Sequence, residues 1–223
     1  INSIYSDKSG NLFDPFDGKK DLKNGKVIFI GDIENRIKED YLRILRYLRF
    51  FSIYSNDDHE LKVKKILKKN IKGIKKISHE RLLDEFKKIL KSNILVKLCD
   101  DEFSLEMIKF IFPQFINIDS VKKFNQFNKN RINEMDFCFI LSLLIIDGTD
   151  NLDYFNYKFN ISKQYQKRMK FIKNFFFNKN KENKFNTTNL WKIFYKFGKD
   201  SLFDVLNYQL FTSKNIDKKI IKH

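Results

Sequence analysis

The stretch Glu39–Phe50, EDYLRILRYLRF, constrains this chain more than any other. Arginines stand at 43, 46 and 49, and leucines at 42, 45 and 48. On a helix, residues three or four apart share a face. The spacing predicts one helix over about 35–54 with a leucine seam beside a line of guanidinium forks. Asp40 and Arg43 project side by side, and Arg46 and Arg49 continue the line with a slow drift around the axis. An exposed ion pair on a basic amphipathic helix has the same spacing, so spacing alone leaves both readings open.

The chemistry of the pair is selective. An ionised Asp only accepts hydrogen bonds, whereas Arg donates them in a planar fork. Side by side, they complement the pairing edge of adenine or cytosine, which carries an exocyclic amine beside an acceptor nitrogen. Guanine and uracil would turn a carbonyl towards the carboxylate. A site of this kind is expected to take ATP and CTP and to reject GTP and UTP, partly by repulsion. The remaining arginines suit triphosphate oxygens.

The flanks sharpen this. Upstream lie DPFDGKKDL at Asp14–Leu22 and then Gly31-Asp32; downstream lies SHERLLDE at Ser78–Glu85. The series DPF-x-G-x-x-DL, GD-x-x-x-R-x-x-ED-x-x-R-x-x-R-x-x-RF and ER-x-x-x-E resembles the class II tRNA nucleotidyltransferases, the CCA-adding enzymes and their bacterial poly(A) polymerase relatives. The likeness is close over about residues 1–90. Beyond that it is only a general helical character.

The resemblance implies a portion of an enzyme that transfers CMP and AMP from CTP and ATP to the 3′ end of tRNA. It makes Asp40 and Arg43 base-selecting and gives Arg46 and Arg49 to the nucleotide or to holding the helix. Asp14, Gly18 and Asp21 become a hinge loop near the nucleotide, and Glu39, Arg81 and Glu85 become supports. Three departures stand out: Asp17 replaces the first glycine of the usual DPFGG, Ile28 stands where an Arg is frequent, and Ile33 replaces a Pro. Ile1-Asn2 resembles the end of an RRDFTIN segment, so the chain is expected to begin within a catalytic head. The metal-holding carboxylates of that head, a DxD pattern binding Mg²⁺, are expected to lie outside this chain, which alone is expected to be inactive. The runner-up is a non-catalytic helical RNA-binding protein of the same descent.

The implied fold is mainly α: a short β remnant of the head at 1–32, a nucleotide-selecting neck at 33–95, and an RNA-binding helical body and tail at 96–223. Composition agrees with a polyanionic partner. The 223 residues include 44 Lys+Arg against 28 Asp+Glu, a formal net charge of +16, although a general bias towards lysine would also raise that figure. Cys99 and Cys138 are far apart in apolar patterns and read as reduced thiols of an intracellular, cytoplasmic protein. With His59, His79 and His223 they make no metal-ligand spacing, and the acidic clusters Asp57-Asp58 and Asp100-Asp101-Glu102 read as helix starts. No apolar run approaches the roughly 18 residues of a membrane span, so no membrane partner is expected.

In detail, residues 1–7 and 12–16 are expected to form a hairpin, and 26–31 a buried strand. A second helix should open at Asp57-Asp58, a third at the cap Ser78, and a fourth over 102–112, stopped by Pro113. Others should follow over about 117–128, 134–146, 151–159, 162–177, from Thr187 or Thr188, and 199–212. A polar loop is expected at 178–186 and a frayed basic tail at 214–223. Lysines interleave with aromatics at 167–177 and 192–199, either as an RNA surface or as amphipathic helices with buried rings.

Overall fold

The computed structural model describes residues 4–91, 94–177 and 184–213. Most of the expected loop at 178–186, the tail at 214–223 and the first three residues of the expected strand lie outside the described residues. The fold is mainly α with one two-stranded antiparallel sheet. Contacts divide the chain between Pro113 and Gln114 into two units.

In the first unit, β1 (Tyr5–Ser6) and β2 (Leu12–Phe13) pair Tyr5 with Phe13 and Ser6 with Leu12. Asp7 closes the turn by accepting the N–H groups of Ser9 at 2.9 Å and Asn11 at 2.8 Å. The run 26–31 is not a strand of this sheet. It keeps the alternation of one, with Val27 and Phe29 half-buried between exposed Lys26 and Ile28. The Lys26 N–H bonds the Asp21 carbonyl at 2.8 Å, tying the run to the preceding helix rather than to a strand edge. That helix is α1 (Gly18–Lys23), which replaces the open loop expected at Asp14, Gly18 and Asp21. The Asp14 carboxylate accepts from the N–H of Gly18 at 2.7 Å and of Lys19 at 2.8 Å, satisfying the first donors of the helix.

Two helices stand where one was expected: α2 (Ile33–Glu39) and α3 (Leu42–Tyr54). Asp40 between them is extended, with φ −153° and ψ 103°. The corner is packed, because Tyr41 lies so close to Gly73 that a Cβ there would stand 2.0 Å from its ring. Local periodicity favours continuation, and this tertiary contact overrides it. Leu42, Ile44, Leu45, Tyr47 and Leu48 of α3 are buried, and the arginines fall on the flank left open.

The helix expected from Asp57 starts later, as α4 (Leu61–Asn70), because Ser55 Oγ takes the Asp57 N–H at 3.2 Å in a turn. A 3₁₀ segment, Ile71–Lys76, follows. Next come α5 (His79–Lys91), α6 (Leu95–Asp100) and α7 (Glu102–Ile111). Ser78 caps α5 as expected, with the Arg81 N–H 3.4 Å from its hydroxyl. Leu82, Phe86, Ile89 and Leu90 form the buried stripe that α5 lays against α3.

In the second unit the single helix expected at 117–128 is broken. A 3₁₀ segment at Ile118–Lys123 precedes α8 (Gln126–Arg131), which Asn125 restarts by capping the Asn128 N–H at 2.8 Å. The central helix is α9 (Phe137–Ile145), capped by Asp136 and buried at every position from Cys138 onward. Around it stand α10 (Asn151–Lys158), α11 (Lys163–Phe177), α12 (Thr187–Phe197) and α13 (Lys199–Thr212). Asn186, rather than a threonine, caps α12, accepting the Asn189 N–H at 2.8 Å. Among the described residues no helix is long and apolar enough to cross a membrane.

Candidate functional site

The corner between α2 and α3 gathers most of the candidate residues. Asp32 caps α2 through the Asn35 N–H at 2.8 Å. At the other end Asp40 Oδ1 accepts the Leu42 N–H at 3.1 Å, and its carbonyl accepts the Arg43 N–H at 3.0 Å. Asp40 thus stands at the N-terminus of α3, one turn before Arg43, rather than in the middle of a helix. Asp40 sits at the mouth of α3, where the macrodipole favours a carboxylate.

Each of the two is held by a third residue. Arg81 Nη2 donates to Asp40 Oδ2 at 3.0 Å. Arg43 Nη1 donates to Glu39 Oε2 at 2.5 Å and also to the Arg36 carbonyl. Arg36 Nη1 reaches the same Glu39 oxygen at 2.6 Å. The hydrogen bond from Arg43, helped by the charges of Arg36 and Arg43, holds the Glu39 carboxyl below the usual range. A carboxylate offers about four acceptor positions, so Asp40 retains capacity for a ligand after its two bonds. Arg43 retains further N–H groups of its fork.

The arginine line divides along its length. Arg49 Nε lies 2.7 Å from Glu85 Oε1, and its side chain is 15% exposed. Arg46 is 37% exposed and lies 3.6 Å from the other Glu85 oxygen. Glu85 itself is 1% exposed. Arg81 and Glu85, one turn apart on α5, reach across to Asp40 and to Arg49, so α5 clamps the corner at two points.

Beside the corner is a groove of about 470 Å³ lined by Tyr5, Phe16, Phe29, Ile30, Arg36, Arg43 and Arg46. Three guanidinium groups and three aromatic rings suit a flat, polyanionic ligand. The sequence reading did not assign Tyr5, Phe16, Phe29 or Arg36 to the site. Arg36 had a local signal, as the first arginine of the GD-x-x-x-R run, whereas the rings come from separate segments. At the expected hinge, Asp17 adopts φ 54° and ψ 31°, the left-handed region where Gly is the unstrained residue. The Asp14 carboxyl is held below the usual range, chiefly by the Lys19 N–H. Gly18 is buried, and Asp21 contributes its carbonyl to Lys26.

A second arrangement centres on His59, and metal-ligand spacing in the sequence does not reveal it. His59 is buried, with Nδ1 2.9 Å from the Tyr47 hydroxyl and Nε2 2.8 Å from Asp101 Oδ2. Asp101 also caps α7 through the Ser104 N–H at 2.8 Å. Burial pushes its carboxyl up, but the bonds from His59 and Ser104 outweigh it and hold the group well below the carboxylate range. This network joins α3 to α7 and agrees with a structural role for Asp101.

Residues 60–118 match the family model described as "Probable RNA and SrmB- binding site of polymerase A". Human "CCA tRNA nucleotidyltransferase 1, mitochondrial" is 40% identical over 133 residues, which cover 58% of this chain and 30% of the relative. The "CCA-adding enzyme" of Ligilactobacillus salivarius (strain UCC118) is 32% identical over 137 residues, covering 60% of this chain and 34% of the relative. That of Lactobacillus helveticus (strain DPC 4571) is 40% identical over 89 residues, or 40% and 22%. The chain thus spans about a third or less of the length of the curated relatives it matches. The resemblance read from the motifs holds: the chain is similar to a portion of the CCA-adding enzymes.

Proposed function

We propose that this chain is the nucleotide-selecting and RNA-binding portion of a CCA-adding enzyme, a protein that transfers CMP and AMP from CTP and ATP to the 3′ end of tRNA. The observation that carries the reading is the α2–α3 corner. Asp40 is held by Arg81 and Arg43 by Glu39, beside a groove of arginines and aromatic rings. The likeness to CCA-adding enzymes supports it.

In this reading Asp40 accepts from the exocyclic amine of cytosine or adenine, and Arg43 donates to the neighbouring ring nitrogen. Guanine and uracil would set a carbonyl against the Asp40 carboxylate. Repulsion then adds to the lost hydrogen bond. Because Arg81 and Glu39 already fix the two side chains, little freedom is lost on binding. Arg36 and Arg46 face the groove and meet the triphosphate, while Arg49, tied to Glu85, holds α3 on α5. Among the described residues no group of three or more His, Cys, Asp or Glu is placed to hold a metal ion. In this reading the side chains of the corner recognise and position the nucleotide.

The test is binding of each of CTP, ATP, GTP and UTP to wild-type chain and Arg43→Ala. CTP and ATP should bind more tightly than GTP and UTP, and Arg43→Ala should lose roughly 10- to 100-fold in affinity for them, as expected for a hydrogen bond to a charged group. Equal binding of all four nucleotides, unchanged in the variant, would overturn the assignment. In an enzyme carrying this segment, the same substitution should lower C and A incorporation far more than tRNA affinity.

A further inference from the structure

Helix α12 has the wrong outer face for a solvated helix. Ile193 points inward and is buried, and Phe197 packs its ring 4.6 Å from that of Phe171 on α11. An amphipathic helix ordinarily turns polar residues to water on the opposite side. Here that side carries Trp191, 55% exposed, and Tyr195, 79% exposed, one turn apart. Their ring centroids lie 5.8 Å apart with planes tilted by 30°. Phe194 stands edge-on to both. Lys192 and Lys196, also one turn apart and exposed, run alongside. Trp191, Lys192, Tyr195 and Lys196, with Thr187 and Thr188, line a shallow open groove of about 560 Å³. Helix α12 contains no acidic residue. By contrast, Tyr165, Phe171, Phe175 and Phe176 of α11 are half-buried and only Phe177 is exposed, so interleaving means mostly packing in one helix and display in the other.

We infer that this face of α12 is a stacking platform for unpaired RNA bases, with Lys192 and Lys196 on the flanking phosphates. The inference rests on the reading of this chain as RNA-binding and narrows it to a place and a kind of RNA. Two exposed rings one turn apart give flat surfaces for successive bases, and every base has a face to offer. Two lysines parallel to them supply the charge that a backbone needs. A duplex keeps its bases stacked on one another and cannot use the rings. Charge complementarity calls for an anionic partner, and paired exposed rings, on which bases stack, favour RNA over an acidic protein.

Trp191 is the single tryptophan of the chain, so its fluorescence reports on this face alone. The 223-residue chain is titrated with a dye-labelled, unstructured oligoadenylate and with a duplex RNA of equal charge. Tryptophan emission and dye anisotropy are read in parallel. The expected result is saturable quenching by the single strand and little by the duplex. Tyr195→Ala should weaken single-strand binding roughly 5- to 150-fold, the range for loss of one stacked base. Tyr195→Phe, which keeps the ring, should restore it, and Lys192→Glu with Lys196→Glu should weaken binding and flatten its salt dependence. RNA binding seen by anisotropy, without quenching and indifferent to Tyr195→Ala, would overturn the platform and leave the RNA-binding reading standing. No binding of either RNA would overturn both. Quenching by anionic phospholipid vesicles but not by RNA would replace the platform with a membrane contact.

Discussion

Glu85→Gln tests whether α5 clamps the nucleotide-selecting corner. The carboxylate is 1% exposed. It lies 2.7 Å from Arg49 Nε, 3.2 Å from Lys88 Nζ and 3.6 Å from Arg46 Nε. Removing one partner of a buried ion pair costs about 3–5 kcal/mol, because the other charge is left without compensation. Two features reduce this. Arg46 and Arg49 keep 37% and 15% of their side-chain exposure, and Gln preserves the shape and one acceptor oxygen. The expected loss is roughly 2–3 kcal/mol, a fall in Tm of about 4–12 °C for a chain of this length. Lys88, at 56% exposure, is a solvated partner, so Lys88→Ala should cost less than about 0.5 kcal/mol. Urea denaturation followed by far-UV circular dichroism measures both. A double-mutant cycle with Arg49→Gln isolates the coupling. A Glu85→Gln cost below about 1 kcal/mol, or a cycle with no coupling, would show that packing of Leu82, Phe86 and Ile89 alone holds α5 to α3.

Two further outcomes follow from strained or charged positions. Asp17→Gly should stabilise the chain by roughly 0.5–1 kcal/mol, the left-handed cost of a non-glycine residue less the greater unfolded freedom of glycine; a lower urea midpoint would contradict it. Asp101→Asn should lower stability at neutral pH and flatten its dependence in acid. The folded Asp101 carboxyl is depressed, so its contribution is present above the ordinary value of 3.8 and lost as pH falls below it. Parallel pH–stability curves for wild type and variant would refute that account.

Much of this protein was legible in its sequence because helices repeat locally. The Leu/Arg series, the Ser78 cap and the stop before Pro113 depend on neighbours three or four residues away, and each appears as expected. So does the buried run of α9 after Asp136. The identities of Asp40, Arg43, Arg81 and Glu85 as candidates came from motif spacing, but their partners did not. A periodic pattern states which side of a helix is apolar; it does not state what returns to cover it. The corner at Asp40 exists because Tyr41 meets Gly73, and Arg81 finds Asp40 from 41 residues away. His59 joins Tyr47 and Asp101 over 12 and 42 residues. The groove draws its rings from three separate segments. The aromatics of α11 and α12 share one sequence pattern, and only the packing of α9, α11 and α13 decided that most of the first set are half-buried and the second displayed. The sequence determined the helices and the chemistry each could carry. Tertiary structure decided which charges meet and which rings face solvent, because both depend on contacts between residues that no local repeat connects.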